Sequence, residues 1–335
     1  MGFLFSVFKR LVLVGIAVFI GVYLNYPPPK MSDELRLWVQ SGQFFLHGHD
    51  GQGIKIFYKD VNGYGHKDKV LLLIHGFPTS SYDWNKVWEP LREKFGRLIA
   101  ADMQGFGFSD KPKETNYTVK LQANMFEDLL TSMNVKEVNI IAHDLGLTVA
   151  LELLARYEER KGKKMKHEGV NIISLCLTNG GLFPGYHFPR PIQKLLLYPW
   201  IGSLATRLAN RYIFAKSFSA VFGPGTQPTQ EELNDHFVGI RFKDGNLLHP
   251  NILGYIKERQ IYQDRWVGSL QKTVIPVHFI YGPADPVNPP VFAKRFKEVI
   301  PQHGITVLEE NIGHYPHLED PSQFMSAYNK FLYSF

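Results

Sequence analysis

The possible folds of this chain are limited most by a series of short, mostly apolar runs that helical patterns separate. The runs are too short for helices, and amphipathic segments such as Leu121–Met133 and Leu147–Tyr157 lie between them. A strand covered on both faces is apolar along its whole length, and parallel sheets are covered in this way by crossover helices. The pattern therefore predicts an α/β fold with a mostly parallel central sheet and helices on both faces. Its strands are expected at Val70–Ile74, Leu98–Ala101, Val138–Ala142, Ile172–Leu177 and Val277–Tyr281.

The alternation stops between residues 182 and 268, where helical and aromatic-rich patterns take over. Two further strands, Gln43–Leu46 and Ile54–Tyr58, precede the alternating region, and Ile305–Leu308 resumes the sheet after it. We expect four parts: a membrane anchor (1–30), a first part of the core (31–181), a helical cap (182–268) and a second part of the core (269–335). The cap helices are predicted at Ile192–Leu197, Leu204–Phe214, Glu231–Phe237 and Ile252–Trp266.

The N-terminus carries an apolar segment, Leu11–Leu24, that is typical of membrane-targeting sequences. Its 14 residues span about 21 Å as a helix, short of the ~30 Å hydrocarbon core, but Phe3–Phe8 can extend it. A retained anchor, a cleaved signal peptide and a buried helix of the globular part are three interpretations. No small-x-small cleavage site precedes Pro27, which favours the anchor. Lys9 and Arg10 favour a cytosolic N-terminus and hence a lumenal globular part, although Lys30 on the other side weakens this assignment.

Charge and cysteine content exclude several classes of protein. The net charge is +6, but three of the positive residues lie in the first 30, so a nucleic-acid footprint is not predicted. One cysteine, Cys176, excludes an intramolecular disulfide and any Cys-based zinc site, and its apolar surroundings predict a buried thiol. His47, His49 and Asp50 share a turn but have no further ligand at metal spacing. We therefore expect neither a metal nor a cofactor.

A candidate nucleophile follows the predicted strand Val138–Ala142. Small residues, Ala142 and Gly146, flank Asp144 in a small-x-nucleophile-x-small pattern between a strand and a helix. A carboxylate at such a sharp turn can attack an electrophilic carbon and form an ester. The alternative is that Asp144 only caps the helix that follows it.

Two more polar residues follow later strands. Asp285 comes after Val277–Tyr281, and His314 comes after Ile305–Leu308. Because open α/β sheets collect their ligands at the carboxyl ends of strands, we expect both near Asp144. His314 is then a general base that Asp285 orients, with His317 as the rival base.

The sequence resembles the α/β-hydrolase superfamily over about residues 43–333, and within it the branch of epoxide hydrolases and haloalkane dehalogenases. The resemblance rests on His75–Pro78, Asp102–Pro112 and His143–Gly146, and on the order of nucleophile, acid and histidine. It implies an oxyanion hole formed by the backbone amides of Phe77 and Leu145. Leu145 stands where dehalogenases commonly have a halide-holding tryptophan, so dehalogenation is not expected.

Epoxide hydrolases use cap tyrosines to donate a proton to the epoxide oxygen. The resemblance makes Tyr255 the candidate for one of them, 20 residues before Ile275-Pro276, with a packing role as the alternative. The second tyrosine is left open among Tyr186, Tyr198 and Tyr212.

A narrower resemblance is to the mesoderm-specific transcript family of membrane-associated proteins of the endoplasmic reticulum. It rests on His75–Trp84, Arg265–Gly268, Ile275–Pro289 and His314–Pro316. The resulting expectation is a hydrolase anchored in that membrane, with an epoxide or related apolar, lipid-like substrate and an alkyl-enzyme ester intermediate. The alternatives are an inert scaffold or lipid-binding protein with a hydrolase fold, and a lipid acyltransferase.

Overall fold

Eight strands form one sheet in the computed structural model, which describes residues 2–24, 28–48, 53–163 and 169–335. The order across the sheet is β1-β2-β4-β3-β5-β6-β7-β8. β1 and β2 are antiparallel to their neighbours, whereas β3 to β8 are mutually parallel. Each predicted strand is present. The strands are β1 (Gln43–His47), β2 (Ile54–Asn62), β3 (His66–Ile74), β4 (Phe95–Ala101), β5 (Glu137–His143), β6 (Asn171–Thr178), β7 (Val277–Tyr281) and β8 (Gly304–Val307).

The helices of the described residues are an N-terminal helix, helices that accompany the sheet, and a group of helices between β6 and β7. The N-terminal helix is α1 (Gly2–Leu24). The core holds α2 (Asp33–Gln40), α3 (Asn85–Arg92), α4 (Val119–Ser132), α5 (Leu145–Gly162), α12 (Gln263–Lys272), α13 (Val291–Val299), α14 (Pro316–Glu319) and α15 (Pro321–Leu332). The segment between β6 and β7 also holds α6 (Pro191–Leu196), α7 (Pro199–Leu208), α8 (Arg211–Ser219), α9 (Gln230–Arg241), α10 (His249–Ile252) and α11 (Tyr255–Ile261). Short 3₁₀ turns lie at Ser81–Trp84, Pro184–Tyr186 and Phe242–Leu248.

Alternate residues of the central strands pack into two separate apolar clusters, one on each face of the sheet. Leu72 and Ile74 of β3 belong to the cluster that includes α4, α5 and α13. Leu71 and Leu73 belong to the cluster under α2, α3 and α15. Side chains alternate between faces along a strand, so a continuous apolar run serves both clusters. The fold class expected from the sequence is confirmed, and Cys176 is a buried free thiol, as predicted.

Two of the four helices predicted between β6 and β7 are divided in the structure, whereas α6 and α9 lie at the other two predicted positions. The expected helix Leu204–Phe214 is two helices, because the chain is extended at Ala209 and the Asn210 side chain caps α8. The expected helix Ile252–Trp266 is divided among α10, α11 and α12. Helix α12 also continues through the expected cap boundary at residue 268 and packs on α5 of the core. The division into anchor, core and cap stays a proposal.

The N-terminal segment is a single continuous helix from Gly2 to Leu24. Its 23 residues reach about 35 Å, enough to cross a bilayer. The window Gly2–Gly21 is strongly apolar and none of it is buried, so the interpretation as a buried core helix is wrong. Residues 25–27 and 49–52, which include Pro27, His49 and Asp50 of the sequence arguments, lie outside the described residues.

Candidate active site

Asp144 occupies a sharp turn between β5 and α5. Its backbone has φ 46° and ψ −108°, a conformation that a non-glycine residue adopts only where its surroundings enforce it. The turn is tight: a Cβ on Gly146 would lie 2.4 Å from the His75 carbonyl oxygen. The Asp144 side chain makes no capping hydrogen bond to α5, so the interpretation of Asp144 as a helix cap is wrong.

Backbone amides were predicted to lie close to the Asp144 carboxylate. The Phe77 amide donates to Oδ2 at 3.1 Å, as expected of an oxyanion-hole donor placed beside the nucleophile. Leu145 is the first residue of α5, where backbone N–H groups have no acceptor within the helix. Asp144 is 3% exposed. The Phe77 amide therefore contacts the buried carboxylate, and the role of the Leu145 amide stays a prediction.

Arg259 of α11 is a contact that the sequence did not predict. Its Nη2 donates to the Asp144 carbonyl at 2.9 Å and lies 3.5 Å from the Asp144 carboxylate. Its Nε donates to the Thr148 hydroxyl at 2.8 Å. The guanidinium also packs closely on Gly181, where an added Cβ would lie 2.5 Å from Nη1. Burial alone would raise the pKa of Asp144, but Arg259, followed by His314, holds that pKa below its ordinary value. Arg259 thus keeps a buried carboxylate ionised.

His314 and Asp285 form the expected pair. His314 Nδ1 lies 2.8 Å from Asp285 Oδ2, and both residues are buried. Burial would raise the pKa of Asp285, but His314 and further hydrogen bonds lower it. Burial would likewise lower the pKa of His314, and the carboxylate of Asp285 reverses this and raises it. The pair thus stabilises the protonated form of the imidazole.

Two asparagines complete the Asp285 site and were missed in the sequence. Asn288 Nδ2 donates to Asp285 Oδ2 at 2.9 Å, and Asn179 Nδ2 donates to the same oxygen at 3.0 Å. Asn179 directly follows β6, with φ 28°. Its place at the carboxyl end of a strand is the same signal that identified Asp144 and Asp285. Asn288 has no comparable signal.

His317, the rival base, lies away from the cavity. It stacks on Trp84 at 4.4 Å, and neither of its ring nitrogens has a partner among the described residues. Burial, with positive neighbours, lowers its pKa well below the ordinary value. His317, Asp83 and His143 have donor atoms within 4.8 Å of one another and so are close enough to hold a cation. None of the three lines the cavity beside Asp144.

A cavity of about 150 Å³ connects the Asp144 and His314 side chains with the cap. Its wall is mostly apolar, which suits an apolar ligand around a few polar groups. Tyr315 lines it too and donates from its hydroxyl to the Phe77 carbonyl at 3.3 Å, which steadies the Phe77 peptide. Cap residues on the wall include Ile192, Leu196, Ala205, Ile213, Phe214, Phe218 and Ile240.

Of the four tyrosines considered as proton donors, Tyr255 packs against a residue of the cavity wall. Tyr255 is buried against Phe77, with ring centroids 6.3 Å apart, and Arg259 lies over its ring at 4.6 Å. Its hydroxyl makes no well-formed hydrogen bond to a described residue, although Arg259 is close enough to interact with it, and Tyr255 is not part of the cavity wall. Tyr198 and Tyr212 are exposed, and Tyr186 packs against Phe183. None of these three lines the cavity.

Comparison with known proteins agrees with the fold. The sequence pattern of the alpha/beta hydrolase fold matches residues 69–165. The human mesoderm-specific transcript homolog protein is 44% identical over 320 residues, covering 94% of this chain and 93% of that protein. The epoxide hydrolase CorEH is similar in structure, with a TM-score of 0.64, 22% identity and coverage of 87% of this chain and 99% of that one. A bacterial membrane phospholipase A has a TM-score of 0.62, 21% identity and coverage of 99% and 98%.

The fold and the placement of these residues define an α/β-hydrolase-fold protein. The similarity to the human protein extends over nearly the whole of both chains. The chain therefore belongs to the mesoderm-specific transcript family, as its sequence resemblance indicated.

Proposed function

We propose that this protein is a membrane-anchored hydrolase that opens an epoxide, or a related electrophilic carbon, in an apolar, lipid-like substrate. The observation that carries the proposal is the carboxylate of Asp144 at a strained turn, where a hydrolase would hold its nucleophile, facing a mostly apolar cavity. Asp144, Asp285 and His314 would be the catalytic residues. The lipid-like nature of the substrate is supported by the cavity wall and by the membrane phospholipase of similar extent.

The first step forms an ester on Asp144. A carboxylate oxygen attacks one epoxide carbon, the carbon–oxygen bond of the ring breaks, and the ring oxygen takes up a proton. Arg259 Nη1 and the Tyr255 hydroxyl are two buried donors that make no well-formed hydrogen bond to a described residue, and their side chains lie against each other. Burial, with the charge of Asp144, raises the pKa of Tyr255, so its hydroxyl stays protonated and can donate. In this proposal both groups donate hydrogen bonds to the negative oxygen that forms as the epoxide ring opens, and the Tyr255 hydroxyl gives it a proton.

The second step hydrolyses the ester. His314 takes a proton from water, and the resulting hydroxide attacks the carboxyl carbon of the esterified Asp144. The amides of Phe77 and Leu145 stabilise the negative charge on the tetrahedral intermediate. Collapse of the intermediate passes the proton of the added hydroxide to the leaving alkoxide, which releases the diol and restores the Asp144 carboxylate. The proton on His314 leaves to solvent, and the Tyr255 hydroxyl regains from solvent the proton that it gave in the first step. No metal or cofactor takes part in this route.

A single turnover in ¹⁸O-labelled water tests the ester route directly. Excess purified protein is incubated with a panel of lipid epoxides, and mass spectrometry follows both the diol and the peptide that contains Asp144. Because water attacks the carboxyl carbon, we expect ¹⁸O in the Asp144 carboxylate and an unlabelled new hydroxyl in the first diol formed.

Two results would contradict the proposal. Label in the diol alone would mean that water attacks the epoxide directly, without an ester. No label and no diol with any member of the panel would favour the scaffold or lipid-binding alternative over an epoxide hydrolase.

The anchor and the compartment are part of the same proposal. Helix α1 is long and apolar enough to span a bilayer, a test that a signal sequence also passes. The bulky residues before Pro27 support retention of the helix, and the family resemblance supports the endoplasmic reticulum. Lys9 and Arg10 support a cytosolic N-terminus with the hydrolase in the lumen.

Replacing Arg259 by Gln should shift the pH dependence of ester formation. Asp144 attacks only when ionised, so its rate of esterification falls as the pH drops through its pKa, which Arg259 holds low. Without the guanidinium, burial raises that pKa, and the acid limb of the single-turnover rate should move to higher pH. Arg259→Lys keeps the charge and is the matched control. A limb that stays in place in Arg259→Gln would show that Arg259 does not set the ionisation of Asp144.

A further inference from the structure

Helices α6, α7 and α8 and the residues between them carry a group of large apolar side chains that are exposed on the outside of the molecule, and we call this group the cap face. Trp200 is 90% exposed, and Tyr198 and Tyr212 are more than 60% exposed. Single exposed apolar residues are common, but a contiguous group of large ones marks a surface that another phase or molecule covers. The other large members are Leu195, Leu197, Ile201, Leu204, Leu208 and Ile213.

Helix α7 has the reverse of the usual orientation for a surface helix. Its exposed residues Trp200, Ile201, Leu204 and Leu208 fall within roughly 100° of arc at 100° per residue. The opposite side, which packs inward, carries small residues such as Gly202 and the buried Thr206. A water-facing helix would turn its polar side outward, so this arrangement indicates an apolar environment outside the cap.

The charged residues within the segment that contains the cap face are all basic. Residues 182–230 contain no Asp or Glu, whereas they contain five Lys and Arg residues. Lys194, Arg207 and Lys216 are exposed and form no ion pair with any described residue. Apolar helices with aromatic residues and basic flanks are typical of segments that lie in the interface of an anionic bilayer.

The N-terminal helix places this surface next to the membrane. Helix α1 contacts α7, and among the α1 residues whose burial is described the half-buried ones, Gly21 and Tyr23, lie near its C-terminal end. The end of α1 that would leave the proposed bilayer therefore lies beside α7 of the cap. This continuity between an apolar membrane helix and an apolar cap surface selects lipid, rather than a protein partner, as the occupant.

We propose that the cap face lies in the membrane interface and that the active-site cavity takes its ligand directly from the bilayer. Ile213 belongs to the cap face and also lines the cavity, together with Ile192 and Phe214 of the same helices. An apolar substrate can therefore pass between α6 and α8 toward Asp144 without entering water. The inference rests on the membrane anchor proposed above, but not on the chemistry at Asp144.

Trp200 provides the experiment, because the other four tryptophans, Trp38, Trp84, Trp88 and Trp266, are buried. The full chain is reconstituted into phosphatidylcholine vesicles brominated either near the headgroup or near the chain ends. The Trp200 signal is the difference between wild type and Trp200→Phe. We expect blue-shifted emission that shallow bromines reduce by about half or more and deep bromines reduce less, as for a tryptophan at the interface.

A second reporter serves as the control. Val274 is 80% exposed and precedes β7, so it lies at the opposite end of the strands from the cap. In the double variant Trp200→Phe, Val274→Trp, the new tryptophan should emit as a solvated residue, and neither brominated lipid should quench it. Quenching of this reporter as well would mean that the whole protein collapses onto the vesicle, and would overturn the assignment of one face.

The outcomes separate failure of the cap inference from failure of the anchor. A chain that does not float with the vesicles would overturn both. If the chain floats with the vesicles but Trp200 emits as a solvated residue and is not quenched, the anchor stands and the placement of the cap face in the membrane is overturned. Blue-shifted but unquenched Trp200 would show that a second copy of the chain covers the face, which also overturns it.

The basic residues give an independent readout. Phosphatidylserine in the vesicles should increase the quenching of Trp200, because it attracts Lys194, Arg207 and Lys216. The triple variant with Gln at these three positions should lose that increase and keep the quenching seen in phosphatidylcholine alone. If phosphatidylserine has the same effect on wild type and on the triple variant, the cap charges do not face the lipid.

Discussion

The Asp144→Asn protein is expected to lose hydrolysis by at least about 10⁴-fold while keeping its fold. The amide is the same size as the carboxylate and can still accept the Phe77 N–H, so the turn should be preserved. It is a far weaker nucleophile, and no ester can then form. The measurement is single-turnover diol formation from the substrate found in the labelling experiment, with circular dichroism as the check on folding.

Two controls make that loss interpretable. An asparagine close to a general base can hydrolyse back to aspartate, so the intact mass of the protein must be followed through the assay. Asp68→Asn is the matched change, because Asp68 is exposed on β3, at the opposite end of the strand from the site. Activity close to wild type in verified Asp144→Asn protein would exclude Asp144 as the nucleophile and leave the fold without an assigned reaction centre.

The sheet could be predicted from the sequence because its strands are covered on both faces. Such strands are apolar along their length, and that pattern depends only on burial. The cap was less accessible: the pattern over Leu204–Phe214 is apolar on both sides of Asn210, and only the backbone shows that Asn210 ends one helix and caps the next. Capping competes with helix continuation through local hydrogen bonds that periodicity does not register.

The same contrast applies to the candidate site. Asp144, Asp285 and His314 each follow a strand, and the topology alone brings such residues together. Arg259 lies in the middle of a cap helix, without any motif, and its importance depends on a contact 115 positions away in the chain. The cap is the part of the structure where sequence spacing says least about position. Specificity is therefore the property that a sequence of this kind predicts least well.

The pH dependence of turnover should report the His314–Asp285 pair. His314 acts as a base only when neutral, and Asp285 raises its pKa above the ordinary histidine value of 6.5. Steady-state kcat should therefore fall as the pH drops through a pKa above that value. Ester formation does not need His314, so its single-turnover rate should persist to lower pH, where ionised Asp144 still attacks.

Replacing His314 by Gln should separate the two steps completely. Attack by Asp144 remains possible, whereas removal of the base should slow hydrolysis of the ester by about 10²–10⁴-fold. The ester should then accumulate, and the peptide containing Asp144 should gain the mass of one substrate molecule. His66→Gln, at an exposed position of β3, is the matched control and should trap nothing. Failure of His314→Gln to trap an adduct from a substrate that wild type hydrolyses would place His314 before ester formation, or exclude the ester route, because only a base confined to the second step leaves the intermediate behind.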